Sequence, residues 1–240
     1  MHRRYLPLLA AAAFFSPFAA HAQDREPTPR IMVVGEGETA VAPDMAILSL
    51  TVMREAETAR AAMDDANKAM TDVIAAMKEA GIESRDLQTA GLQINPRYVY
   101  PKDNDGEQQP RIVAYQVQNT LTVRVRDVQK VGEVIDRSVT LGVNQGGSVS
   151  FVNDDPSAAL SEARRLAVAD ATDRARTLAE AAGVELGRVL EMSEQSRMPP
   201  PMPMAQGKAM RMEAAADYVP MEAGENTYRV QVNVTFELKQ

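Results

Sequence analysis

Histidine, the side chain most often used for acid–base catalysis near neutral pH, occurs only twice in the 240 residues, as His2 and His21. Both lie in a segment that we predict to be a cleavable export signal. Cysteine and tryptophan are absent from the sequence. The exported chain would therefore contain neither imidazole nor thiol, and could not form Ser/His or Cys/His nucleophile pairs or the usual zinc ligand sets. Chemistry based on carboxylates, lysine, tyrosine or the methionine thioether remains open.

Methionine is concentrated in one Met/Pro-rich segment, residues 197–226, which we predict to be a flexible insertion between two strands. Soft sulfur ligands suit Cu(I), and exposed methionine is oxidised reversibly. The segment is therefore a candidate copper site or oxidant trap, with the sulfurs of Met202, Met204, Met210 and Met212. The alternative is a loop whose composition has drifted without function. We favour this alternative, and predict no catalytic residue, no cofactor and no metal ion.

The segment from Gly35 to Ala40 matches the glycine spacing of a dinucleotide-binding loop. Such a loop needs a helix directly after it, whereas extended chain with Pro43 follows, and the two glutamates in the segment would repel phosphate. We therefore expect a strand pair that is bent or bulged at its glycines.

Two acidic motifs also have structural explanations. Residues 103–107 resemble part of a calcium loop but lack carboxylates at its first and twelfth positions, so a polar turn is expected. Asp154 and Asp155 precede Pro156, where a carboxylate ordinarily caps a helix. A catalytic carboxylate pair would need one group in an apolar pocket. That possibility is the basis of a second alternative function, a carboxylate-dependent hydrolase.

Residues 1–22 have the three parts of an export signal, namely a basic start, an apolar stretch from Leu6 to Phe18, and small residues ending at Ala22. The apolar stretch is too short to span a membrane. Cleavage after Ala22 would remove Arg3 and Arg4 and change the formal net charge from −7 to −9. We expect a periplasmic protein with no integral membrane segment, whose acidic surface disfavours nucleic acid.

Hydrophobic periodicity predicts the elements of the exported chain. Apolar and polar residues alternate over 113–125 and 228–238, which is typical of antiparallel strands with one buried face. Weaker strands are predicted at 31–41, 45–54, 87–95, 148–152 and 186–193. Three- and four-residue spacing predicts helices at 58–80, 128–141 and 156–182, each followed by glycine.

Similar sequences, Glu79–Glu83 and Ala181–Glu185, end the two long helices, and each leads into a strand. This suggests two related strand-helix-strand units, although shared helix-stop chemistry explains the similarity equally well. The predicted fold class is α+β, with antiparallel sheets and long helices packed on one face. A flexible segment, 23–30, would precede a single domain at 31–240.

The order of the segments resembles that of SIMPL-domain proteins. The segments that carry the resemblance are Gly35–Asp44, Leu87–Tyr98, Tyr115–Asp127, Gly146–Phe151 and Ala158–Ser193. The resemblance implies a periplasmic α+β protein of the oxidative-stress-defence or immunogenic type. Some members are thought to assemble into hollow ring-like or channel-like oligomers. The family has no established catalytic residues to transfer to this chain.

The sequence therefore predicts a non-enzymatic periplasmic protein that acts through self-assembly and protein contacts, linked to oxidative or envelope stress. The expected partners are copies of itself and possible envelope proteins. The Met-rich copper or oxidant module and the carboxylate-dependent hydrolase remain as alternatives.

Overall fold

The computed structural model describes residues 28–101, 109–194, 202–203 and 219–239. These residues form three α-helices and eight strands, arranged as two antiparallel sheets with helices on one face of each. The strands are β1 (Arg30–Val41), β2 (Met45–Ala56), β3 (Leu87–Val99), β4 (Arg111–Val125), β5 (Gln145–Val152), β6 (Glu185–Glu194), β7 (Met202–Pro203) and β8 (Asn226–Lys239). The helices are α1 (Ala59–Glu79), α2 (Val131–Thr140) and α3 (Ser157–Ala181). The α+β fold class is confirmed, as are the predicted strands and helices.

The first sheet has the order β1, β8, β6, and β7 pairs with the beginning of β8. Strand β8 buries the apolar set predicted by its alternation, with Val230, Val232, Val234 and Phe236 at most 5% exposed. Against this face lies α3, whose buried stripe is built almost entirely from alanine. Small side chains let the helix axis approach the sheet closely.

Gly35 and Gly37 in β1 lie directly beneath α3. The predicted bulge at these glycines is wrong, because β1 and β8 pair in continuous register from Arg30–Glu237 to Val41–Asn226. A Cβ atom at Gly35 would lie 2.1 Å from the Ala167 carbonyl oxygen. The helix backbone contacts the strand backbone here, so the position has no room for a side chain.

The second sheet has the order β3, β4, β2, β5 and is covered on one face by α1 and α2. Thr58 caps α1 by accepting a hydrogen bond from the Ala61 amide at 3.2 Å. Fully buried side chains from both layers form the main core, including Leu48, Val52, Val73, Met77, Val123 and Val131.

The two long helices lie between strands as predicted, but they use the sheets differently. Helix α1 connects β2 to β3, which belong to the same sheet. Helix α3 connects β5 in the second sheet to β6 in the first. It begins at Ser157, one residue later than predicted, and Asp155 accepts a hydrogen bond from the Ser157 amide at 2.9 Å.

Buried and half-buried amides join the two sheets where β5 ends and β8 begins. Asn226 donates to the Phe151 carbonyl at 3.2 Å and to the Asn153 side-chain oxygen at 3.0 Å. The Tyr228 hydroxyl donates to the same Asn153 oxygen at 2.9 Å. Burial raises the pKa of Tyr228, and the negative charge of Asp44 raises it further. The hydroxyl therefore remains a donor at neutral pH.

Candidate functional site

The hairpin formed by β3 and β4 extends past the end of its neighbour in the sheet. Pairing between β4 and β2 ends at Tyr115 and Ala56. Beyond this point residues 97–99 pair only with residues of the segment 111–114, in which Val113 has no partner. We call these seven residues the arm. A two-stranded ribbon is marginally stable in water, so an arm of this kind gains stability when another surface covers it.

Polar and apolar contacts fix the base of the arm. Glu55 at the end of β2 forms an ion pair with Arg97 at 3.2 Å and accepts a hydrogen bond from Gln116 at 2.9 Å. Val117 of β4 is fully buried against Ala62 and Ala66 of α1. The direction in which the arm leaves the domain is therefore set by well-packed residues.

Exposed apolar side chains are concentrated on this hairpin. Seven of the fifteen large apolar side chains that are exposed in the described residues belong to it or follow it directly: Leu92, Ile94, Tyr98, Val99, Tyr100, Ile112 and Val113. Tyr98 and Ile112 lie opposite each other across the two strands of the arm. Concentrated apolar exposure of this kind marks an interaction surface more often than chance exposure.

The outer edges of the two sheets differ in how they are protected. At the edge strand β1, the Asp170 carboxylate accepts a hydrogen bond from the Glu36 amide at 2.8 Å, which lowers the pKa of Asp170. This side chain blocks strand pairing at that point. Strand β3 is thirteen residues long and forms the edge of the second sheet, and among the described residues no strand pairs with its outer side.

A concave surface, which we call the cleft, lies between α2 and the edge strand β5. Its volume is about 670 Å³. Its floor and walls are Leu48, Leu50, Ile135, Val139, Val143, Val149, Val219 and Met221, together with Asn144 and residues 145–148. A register shift between Ser49 and Leu50 sets the shape of the β5 wall, where Gly147 has no partner in β2.

Asp154 and Asp155, the acidic pair predicted as a helix cap, make different contacts. Asp155 accepts the Ser157 amide, whereas Asp154 accepts a hydrogen bond from Arg126 at 2.7 Å. The same guanidinium donates two hydrogen bonds to Asp86, whose side chain is 4% exposed. These bonds lower the pKa of the Asp86 carboxyl, although burial opposes them. An acid catalyst needs a raised pKa, so this carboxylate cluster has the electrostatics of a structural link.

The methionine and turn motifs lie mostly outside the described residues. Met202 belongs to β7 and is paired with Thr227 of β8 through its backbone. Met204, Met210 and Met212 lie outside the described residues, as do residues 103–107. Within the part of the chain that the structure describes, there is no group of three acidic, histidine or cysteine side chains arranged to hold a metal ion. The copper or oxidant module therefore stays a prediction.

The sequence model of one protein family matches residues 31–236, which is most of the chain. The chain belongs to the SIMPL family. This family is described as a protein of unknown function, DUF541. The resemblance inferred from the order of the sequence segments is thereby confirmed.

Two curated SIMPL relatives cover nearly the whole chain. The "26 kDa periplasmic immunogenic protein" of Brucella melitensis biotype 1 is 55% identical over 235 residues, which are 97% of this chain and 94% of the relative. "Uncharacterized protein YggE" of Escherichia coli K12 is 28% identical over 237 residues, covering 96% and 92% of the two chains. Neither name is that of an enzyme. None of the helices within the described residues of this SIMPL chain is long and apolar enough to cross a membrane.

Sequence reasoning did not predict the arm or the cleft. The alternating pattern of β4 begins at Val113, but in the structure regular burial of that face begins at Val117. A signal for the arm was present in Tyr98, Tyr100 and Ile112, which flank the acidic segment 103–107 in the sequence. Apolar residues beside a polar turn do not say whether a neighbour covers them, so this signal is ambiguous without the sheet order.

Proposed function

We propose that this SIMPL-family protein is exported to the periplasm and acts there without enzymatic activity, through self-assembly and contacts with other envelope proteins. The arm carries the proposal. It combines an anchored base, the exposed apolar pair Tyr98 and Ile112, and an edge strand with no described neighbour on its outer side. These features favour pairing with a second copy or another protein over catalysis.

Periplasmic location and a link to oxidative or envelope stress are the less direct parts of the proposal. The three-part signal at residues 1–22 supports export, and the Brucella relative is named as a periplasmic protein. The stress link rests on the resemblance to stress-defence members of the family.

Light scattering coupled to size exclusion tests the assembly. The chain without residues 1–22 is expected to be larger than a monomer, and the double variant Tyr98→Ser, Ile112→Ser is expected to shift to a monomer. A matched control, Val189→Ser with Leu178→Ser, removes two other exposed apolar side chains and should keep the assembly. A strict monomer at every concentration, or equal masses for both double variants, would count against the arm as the assembly surface.

The physiological link has its own test. A strain lacking the gene is challenged with peroxide, and is complemented with either the unaltered chain or the arm variant. Protection by the unaltered chain alone supports a role for assembly in stress defence. Equal protection by both would separate the stress role from assembly, and no effect of deletion would remove the stress role.

A further inference from the structure

The cleft between α2 and β5 has a uniform chemical character. Eight of its thirteen lining residues are leucine, isoleucine, valine or methionine, two are glycine, and the remaining three are uncharged polar residues. A quarter of the whole chain is charged, yet no charged residue lines the cleft within the described residues. A charged ligand group would lose its hydration there without gaining a counter-charge. The lining therefore selects for an uncharged ligand.

Core packing and hydrogen bonds within the protein hold the walls of the cleft in place without a ligand. Leu48 and Leu50 of the floor are 0% and 3% exposed and belong to the main core. At the β5 end, the Asn144 side chain accepts a hydrogen bond from the Met53 amide at 2.8 Å and donates to the Met53 carbonyl at 3.1 Å. The turn before it is held by Arg54, which donates to the Gly142 carbonyl at 3.1 Å. The cleft is thus preformed, which reduces the ordering cost of binding.

The mouth of the cleft exposes apolar surface to water. Val139 on α2 is 58% exposed and Val219 is 43% exposed, although both border a concave surface. Volume and lining fall within the range of small-molecule sites, which are mostly apolar with a few fixed polar groups. All the apolar lining side chains are aliphatic, so the site offers branched and thioether surface for a flexible chain and no aromatic face for a planar ring.

We infer that the cleft binds a free, uncharged molecule with one straight alkyl chain. The chain would lie above the floor of the cleft, against the solvent-accessible side chains of Ile135 and Val139 of α2 and Val149 of β5. An uncharged polar head would lie at the β5 wall beside Gly147, which has no partner in β2 and offers its backbone amide and carbonyl. This inference is independent of the proposed assembly, because the arm and the cleft lie on opposite edge strands of the second sheet.

Displacement of a fluorescent probe tests the inference on the chain without residues 1–22. A straight-chain conjugated tetraene alcohol, which is fluorescent and uncharged, is expected to bind and to be displaced by straight-chain alcohols of eight to twelve carbons. Each added methylene is expected to strengthen displacement about fourfold until the cleft is filled. The corresponding carboxylates should displace the probe less well at neutral pH. Equal potency at all chain lengths would overturn the inference.

Two variants locate the binding. Val139→Glu introduces a carboxylate at the mouth of the cleft and is expected to weaken probe binding at least about tenfold. Val189→Glu makes the same change on β6 at a valine that is 46% exposed, and should leave binding unchanged. Equal binding by both variants would place the probe elsewhere. Val139 is more than half exposed, so circular dichroism of this variant should match that of the unaltered chain.

Methyl NMR of the unaltered chain does not depend on any variant. Decanol is expected to shift the Ile135, Val139 and Val149 methyl resonances selectively, and shifts that omit these three would overturn the inference. Binding that appears only after deletion of residues 204–218 would mean that the chain itself fills the cleft. Co-sedimentation with neutral phosphatidylcholine vesicles that is lost in Val139→Glu, without binding of free decanol, would instead assign the alkyl chain to a membrane lipid. Either result would overturn binding of a free ligand.

Discussion

Replacement of Gly37 by alanine tests the close contact between the first sheet and helix α3. A Cβ atom at this position would lie 2.0 Å from the carbonyl oxygen of Ala163 and 2.5 Å from the amide nitrogen of Ala167. Ordinary van der Waals contact begins at 3.4 Å, so strand and helix must separate by about 1.4 Å. Both obstructing atoms belong to the α3 backbone, and no side-chain rotation can relieve the contact.

The cost follows from what this separation would do to the packing of α3. Ala163, Ala167, Ala171 and Ala175 are fully buried against the sheet and would all lose contacts together. Overpacking costs about 1–3 kcal/mol when side chains can adjust, so we expect a loss of about 3 kcal/mol in the free energy of unfolding. Without the clash, alanine for glycine in an extended strand would raise this free energy by about 0.4–1 kcal/mol. The sign of the change is therefore informative.

Urea unfolding followed by circular dichroism measures the effect, since the chain has no tryptophan for fluorescence. Gly183→Ala is the comparison, because its Cβ would meet no atom within 4 Å and only the φ of +71° is unfavourable, at a cost of about 1 kcal/mol. Adding Ala163→Gly to Gly37→Ala should give no rescue. A Gly37→Ala protein as stable as the unaltered chain would refute the reasoning that backbone contact requires this glycine.

Three further predictions concern the polar contacts. Asp86→Asn should lower the free energy of unfolding by about 2 kcal/mol at pH 7 by weakening the bonds to Arg126. Because the pKa of Asp86 is lowered in the folded state, its contribution to stability is present above the ordinary value of 3.8 and is lost as the pH falls through the folded value. The melting temperatures of the two proteins should therefore converge below about pH 4, and a constant difference would contradict this link. Thr58→Ala should cost about 1 kcal/mol through loss of the α1 cap, with Thr58→Ser as the control that restores it in urea titrations. Asn226→Ala should cost about 1–2 kcal/mol by removing the donor to the Phe151 carbonyl and one of the two donors to Asn153, which keeps the bond from Tyr228. Faster hydrogen exchange should be confined to the junction of the two sheets, and uniform acceleration would argue against a local role.

Local patterns predicted the elements of this fold because the spacing of apolar residues indicates which side chains are buried. The even-numbered residues from Val230 to Phe236 are all apolar, and they all face α3. The helix stop at Gly183 and the cap at Thr58 depend on side-chain and backbone chemistry within a few residues. Such features need no knowledge of distant parts of the chain.

The bulge expected at Gly35 and Gly37 shows where local reasoning fails. Glycine in a strand is consistent both with a bulge and with close approach of another backbone. The alanine stripe of α3 did indicate close packing on some surface. It lies about 130 residues away in the sequence, however, and does not identify the strand on which the helix packs. Only the register of β1 with β8 and the path of α3 distinguish the two explanations.

The candidate sites depend even more on topology. An alternating pattern predicts a strand with two different faces, but it does not say how far a neighbouring strand extends, so the arm at Tyr98 and Ile112 was not predictable from β3 and β4 alone. The cleft requires that β5 be an edge strand and that Val219 return beside it. Both features arise from residues far apart in the chain.

The sequence by itself determined the absence of cysteine and tryptophan, the positions of the strands and helices, and the membership of the SIMPL family. Those properties depend on residue type and on spacing along the chain. Tertiary structure alone decided which edges stay open, which apolar side chains remain exposed, and why two glycines tolerate no side chain. These depend on distances between segments remote in sequence, and composition and periodicity contain no information about such distances.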